Sequence, residues 1–172
     1  MKKLVLLFAS LFIIVVAAQN VQAQTSSTAQ DVSATAKIIT PINIELTNSG
    51  LNFGTLVPSG TNGTVTVTSA DARTNSNVGF IEQEDDFNAA SFKVTGEESY
   101  IFSITLPDDD EIELESNSNK MEVNAFSSSL PLANNSIGSD GTTFKVGATL
   151  SVDANQPAGT YTGEFDVTVA YE

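Results

Sequence analysis

A chain of 172 residues without a single histidine or cysteine cannot build a Ser-His-Asp triad, a Cys nucleophile, an ordinary zinc site or a disulfide framework. Its formal net charge of −14 disfavours nucleic acid and anionic lipid as partners. What remains is a fold held by apolar burial and the backbone ladder.

The chain opens on Lys2 and Lys3, an apolar run from Leu4 to Ala18, and the small-residue site Val21-Gln22-Ala23. This order reads as a signal peptide over residues 1–23, cleaved before Gln24. As a helix the run reaches about 22 Å, short of the roughly 30 Å of a bilayer core. No transmembrane segment is therefore expected after cleavage, and export places the protein in the periplasm, at the cell surface or outside the cell. Cleavage removes two of the 7 basic residues and none of the 21 acidic ones, so the exported chain carries 5 − 21 = −16. That excess reads as a solubility feature.

Residues 24–31 (QTSSTAQD) lack any apolar period and read as a flexible leader. A single β-sandwich domain is expected over residues 32–172. Val32, Ala34, Ala36 and Ile38 alternate, and after Pro41 the alternation resumes at Ile42, Ile44 and Leu46. Leu51 to Gly54 is a short piece behind a turn. Val65 and Val67 mark a strand, as do Phe92 and Val94. Tyr100, Phe102, Ile104 and Leu106 follow, then Ile112 and Leu114, then Met121, Val123 and Ala125. Phe144, Val146, Ala148, Leu150 and Val152 form the longest internal alternation. After the turn at Asn155 to Gly159, Tyr161, Phe165, Val167, Val169 and Tyr171 share one face of a terminal strand. Thr162, Glu164, Asp166, Thr168 and Ala170 share the other. No window after the signal peptide sustains a 3.6-residue period. Many short strands with turn signals between them predict an all-β, antiparallel sandwich with Greek-key links.

Ordered segments strengthen this picture. Leu51-Asn52-Phe53-Gly54-Thr55, Gly63-Thr64-Val65-Thr66-Val67, Phe92-Lys93-Val94-Thr95-Gly96 and Ser103-Ile104-Thr105-Leu106-Pro107 come first. Val146-Gly147-Ala148-Thr149-Leu150, Pro157-Ala158-Gly159-Thr160-Tyr161 and Val167-Thr168-Val169-Ala170-Tyr171 follow. Together they resemble an exported β-sandwich family of Gram-negative bacteria, the domain of unknown function forty-four-oh-two. More distantly the chain is similar to the spore coat protein U group of secreted pilins. That similarity implies an incomplete immunoglobulin-like, pilin-like fold that polymerises when a neighbour's N-terminal segment fills a gap. The chain departs from the pilins in lacking cysteines and in offering only Val32, Ala34, Ala36 and Ile38 as donor residues.

Two acidic clusters, Glu82 to Asp86 and Asp108-Asp109-Asp110-Glu111, are the places where a cation could gather oxygens. The second is the better Ca²⁺ candidate because it follows Pro107 on a turn. Neither fits a Ca²⁺-loop spacing, and a solvated, self-repelling loop is the plainer reading. Most Phe and Tyr fall on inward positions and read as core. The leading expectation is a secreted or cell-surface structural or adhesive protein without catalytic activity or cofactor, a fimbria-like subunit assembled by β-strand pairing. Its partner is a second copy or another surface protein. Pairing falls to Val32, Ala34, Ala36 and Ile38 and to Tyr161, Phe165, Val167, Val169 and Tyr171. The alternative is an extracellular binding module that uses the acidic loops for Ca²⁺ or a glycan.

Overall fold

The computed structural model describes residues 26–81 and 86–172, so the signal-peptide assignment and Glu82 to Asp85 lie outside the described residues. Two compact units divide the chain, residues 1–37 and 38–172. In the described part of the first, residues 26–37, no strand forms and every residue is exposed. This corrects the expectation that Val32, Ala34, Ala36 and Ile38 open the domain as a strand: Val32 is 77% and Ile38 96% exposed. Two of the four are alanines, whose methyl groups bury too little apolar area to hold an extended chain against a sheet. Pro41, just ahead of the first strand, offers no N–H to a ladder.

The second unit contains twelve strands among the described residues. They are β1 (Asn43–Leu46), β2 (Leu56–Pro58), β3 (Gly63–Val67), β4 (Arg73–Ser76), β5 (Val78–Phe80) and β6 (Ala90–Thr95). The rest are β7 (Ile101–Thr105), β8 (Ile112–Ser116), β9 (Asn119–Ser128), β10 (Asn135–Ser136), β11 (Thr142–Val152) and β12 (Thr168–Tyr171). All pair antiparallel. Among the described residues no helix is long and apolar enough to cross a membrane.

Strand β11 is the axis of a seven-stranded sheet. Along one edge it pairs with β6 as far as Val146 and with β3 from Ala148 onward; along the other it pairs with β9, which carries β8. Its inward residues Phe144, Val146, Ala148, Leu150 and Val152 are all buried. Burial of a side chain the size of Leu or Val contributes roughly 1.5–3 kcal/mol. The outward Thr149 instead shares a hydroxyl hydrogen bond of 2.8 Å with Thr66 across the strands.

The β9–β11 register slips between Gly147 and Thr149, and Ala125 on β9 adopts φ +52°, a left-handed conformation unusual for a residue with a Cβ. The acidic loop secures that irregularity. Asp109 Oδ1 accepts the Ala125 N–H at 2.7 Å, and the Asp110 N–H donates to Asn124 Oδ1 at 2.8 Å.

Two small sheets cover the large one. The order β10–β7–β12 lies over one half, where Phe102 and Ile104 pack against Val94, Phe144 and Val146. Over the other half, β2 and β5 combine with Phe53 to cover Val65, Val67, Val123, Leu150 and Val152. The result is the expected all-β, antiparallel sandwich. Strands β2, β4, β5 and β10 add to those read from the sequence. The second layer is thin, since a three-stranded and a two-stranded sheet face seven strands.

Candidate functional site

The break in that second layer is bounded by the carboxyl-terminal segment. Its burial alternates as the sequence predicts: Tyr161, Phe165, Val167, Val169 and Tyr171 are half-buried, and Thr162, Glu164, Asp166, Thr168 and Ala170 are exposed. The backbone pairing is shorter than the pattern. Thr162 bridges Glu115 on the edge of β8, with hydrogen bonds of 2.8 and 3.1 Å, and ladder pairing resumes only at Thr168 against β7. Between these points the chain crosses from one sheet to the other. It passes so close to β8 that a Cβ at Gly163 would strike the Glu113 carbonyl. Phe165 anchors the crossing against Phe126, ring centroids 5.0 Å apart.

A clasp holds each end of the segment. At the start, buried Gln156 accepts the Asp153 N–H and donates to the Lys120 carbonyl and to the Tyr161 hydroxyl, while Tyr161 donates to the Pro157 carbonyl at 2.8 Å. At the finish, the Tyr171 hydroxyl accepts the Glu97 N–H and donates to the Thr40 carbonyl, both at 2.7 Å. Replacing Tyr171 with Phe removes both hydrogen bonds. The expected loss is about 1–2 kcal/mol in urea unfolding, and an unchanged midpoint would remove the clasp from the account.

One edge of β12 is open. The Glu172 N–H donates to the Ile101 carbonyl, so Thr168, Ala170 and Glu172 turn their backbone groups toward β7. Val167, Val169 and Tyr171 turn theirs the other way, and among the described residues no strand pairs with that edge. β1 lies beside it in the opposing layer.

Beyond β12 the gap widens into a cavity of about 650 Å³. One flank is Leu51 to Leu56 with Pro58, and the other is Gln156 to Gly163 with Phe165. Ile112, Leu114, Met121, Val123, Leu150 and Val152 form the floor. The first flank is fixed from behind. Asn52 exchanges backbone hydrogen bonds with Asn88, and the Asn48 amide donates to the Ala89 carbonyl while its oxygen accepts from Gly50 and Ser91.

The model of a domain of unknown function (DUF4402) matches residues 42–171. The chain belongs to this family. The DUF4402 unit begins at the head of β1 and runs to Tyr171, so it takes in both flanks of the gap and omits Val32 to Ile38. Comparison with curated proteins and with solved structures returns no match.

Of the residues singled out from sequence, Tyr161, Phe165, Val167, Val169 and Tyr171 come together along this gap. Val32, Ala34, Ala36 and Ile38 stand exposed outside any strand. The acidic residues 108–111 do not converge as metal ligands: Asp109 and Asp110 serve the β9 irregularity, and Glu111 accepts the Asp108 N–H at 3.3 Å. Among the described residues no group of three or more acidic side chains could hold a metal ion.

Charge on β8 and β9 lies on the sheet face opposite the cavity lining. Lys120 sits between Glu113 and Glu115, and its hydrogen bonds to these carboxylates, Glu113 first, raise its pKa above the ordinary lysine range. Elsewhere Asp71 is held below the usual carboxylate range, chiefly by its hydrogen bond to Lys145 and then by the Ala89 N–H. Leu51 to Leu56 and Gln156 went unrecognised in the sequence as walls of a site. Only their turn-forming neighbours, Asn48 to Gly50 and Asn155 to Gly159, signalled a change of direction there.

Proposed function

We propose that the chain is an exported structural or adhesive protein, without catalytic activity, that joins a neighbouring polypeptide by strand addition at β12. The observation carrying this reading is the open β12 edge, which presents the backbone donors and acceptors of Val167, Val169 and Tyr171. Exposed edges are usually blunted by proline, lysine or a bulge. Residues 167–171 contain neither proline nor lysine, and β12 pairs with β7 in unbroken register. An added strand gains affinity from main-chain hydrogen bonds and specificity from pockets for alternate side chains. Lys2, Lys3 and the Leu4 to Ala18 run support export, and the lack of His and Cys supports a non-catalytic role. An immunoglobulin-like, pilin-like connectivity with one strand missing from the second layer belongs to the same reading.

Val169→Pro tests it. The Val169 N–H faces away from β7, so proline there blocks the edge and spares the ladder. Material sheared from the cell surface is expected to contain the wild-type chain in large assemblies by light scattering. The variant should appear as a free monomer with a native circular dichroism spectrum. Wild type recovered only as free monomer, or a variant that still assembles, rejects the reading. Deleting residues 24–35 then shows whether this chain's own arm is the added strand.

A further inference from the structure

Resting on strand addition at β12, we infer that the 650 Å³ cavity is an anchor pocket for a bulky apolar side chain on an extended, basic segment of a different protein. Three observations lead there.

The cavity reaches the segment that leads into the open edge, at Phe165. Phe165 lines it and, with Val167, Val169 and Tyr171, packs on the core beside β12. A strand lying along that edge therefore points alternate side chains into the hollow while its backbone meets the unpaired groups of β12. A small apolar molecule would use the hollow and leave the backbone groups unanswered. A polypeptide answers both.

Size argues against this chain's own arm. Val32, Ala34, Ala36 and Ile38 place two methyl groups in the middle of any donated strand. A methyl group leaves most of 650 Å³ unfilled, and unfilled apolar volume weakens a packed interface. Large apolar side chains at successive inward positions of an added strand fill more of that space than methyl groups do.

Charge specifies the flanks. Of the nearby acids, Glu113 and Glu115 lie on the face of β8 opposite the cavity-lining Ile112 and Leu114, while exposed Glu164 and Asp166 flank Phe165 on the crossing segment. Lys120 is engaged with the first two. From Gln24 to Ile38 the arm holds one Asp and one Lys, so it brings no net positive charge to this border. Basic residues at the outward positions of the incoming strand complement it and speed its encounter.

The test uses the purified full chain and four fluorescein-labelled nine-residue peptides in an anisotropy titration. One peptide alternates lysine with valine and has phenylalanine at the central inward position. A second replaces that phenylalanine with alanine, a third replaces the lysines with glutamate, and the fourth is the arm sequence QDVSATAKI. The first is expected to bind roughly ten- to a hundredfold tighter than the alanine and arm peptides, and the glutamate peptide weakest of all. Ala158→Trp, an exposed rim position lining the cavity, should erase the phenylalanine advantage without unfolding the chain. The double change Glu164→Lys with Asp166→Lys should shrink the lysine-over-glutamate preference.

An arm peptide that binds as tightly as the phenylalanine peptide overturns the anchor-pocket inference and leaves strand addition standing. So does a phenylalanine advantage that survives Ala158→Trp. Strand addition fails separately, when Val169→Pro binds the first peptide as well as wild type does.

Discussion

Replacing Gly147 with alanine should destabilise the domain by about 3 kcal/mol, or more if the strands cannot shift. Gly147 is buried in the middle of β11, where that strand passes from β6 to β3. A Cβ there would meet the carbonyl oxygen of Val67, the carbonyl carbon of Thr68 at 2.6 Å and the amide nitrogen of Ser69 at 2.7 Å. All three are backbone atoms, so no side chain can rotate out of the way. Relief requires β3 to peel from β11, which opens the core around Val65, Val67 and Leu150. For a domain of this size the loss corresponds to a fall in melting temperature of about 10 °C. Differential scanning calorimetry reads it directly. A melting temperature within a degree or two of wild type would mean that β3 and β11 do not approach as described.

Phe102→Ala carries the other large effect, an expected loss of about 3–5 kcal/mol in guanidinium unfolding. Phe102 is fully buried on β7, opposite Tyr171 of β12 on one side and Asn135 of β10 on the other. Its ring is the main apolar mass that the three-stranded sheet delivers onto Val94, Phe144 and Val146. Truncation leaves a void in the middle of that contact, and the fixed strands around it relax only in part. β12 should therefore loosen together with the global loss, visible as faster amide exchange at Thr168 and Ala170. Phe165→Ala, at a half-buried position beside the gap, should cost less stability. Equal losses at the two positions would contradict the layer arrangement.

Legibility in the sequence followed apolar mass. The alternation from Phe144 to Val152 stands out because every second residue is a buried side chain, and it became the strand with the most partners. Tyr161 to Tyr171 showed its inward face correctly, because burial obeys the two-residue period whether or not a neighbouring strand is present. The extent of its ladder was hidden, since pairing depends on what lies alongside. Arg73-Thr74-Asn75-Ser76 carries no apolar alternation and is a strand only through its backbone bonds to β3. Val32 to Ile38 had the right period with too little surface to bury. The cavity was invisible for a different reason: its walls come from residues near 51–58, 112–123, 150–152 and 156–165, which become neighbours only through the topology.

The Tyr171 clasp also bears on how the domain is made. Its bond to Thr40 spans 131 residues, so the layer cannot close until a ribosome has released nearly the whole DUF4402 unit. Contacts this distant in sequence give slow acquisition of native structure, on the order of milliseconds to seconds. A nascent chain built this way completes its second layer only after most of the domain has been synthesised.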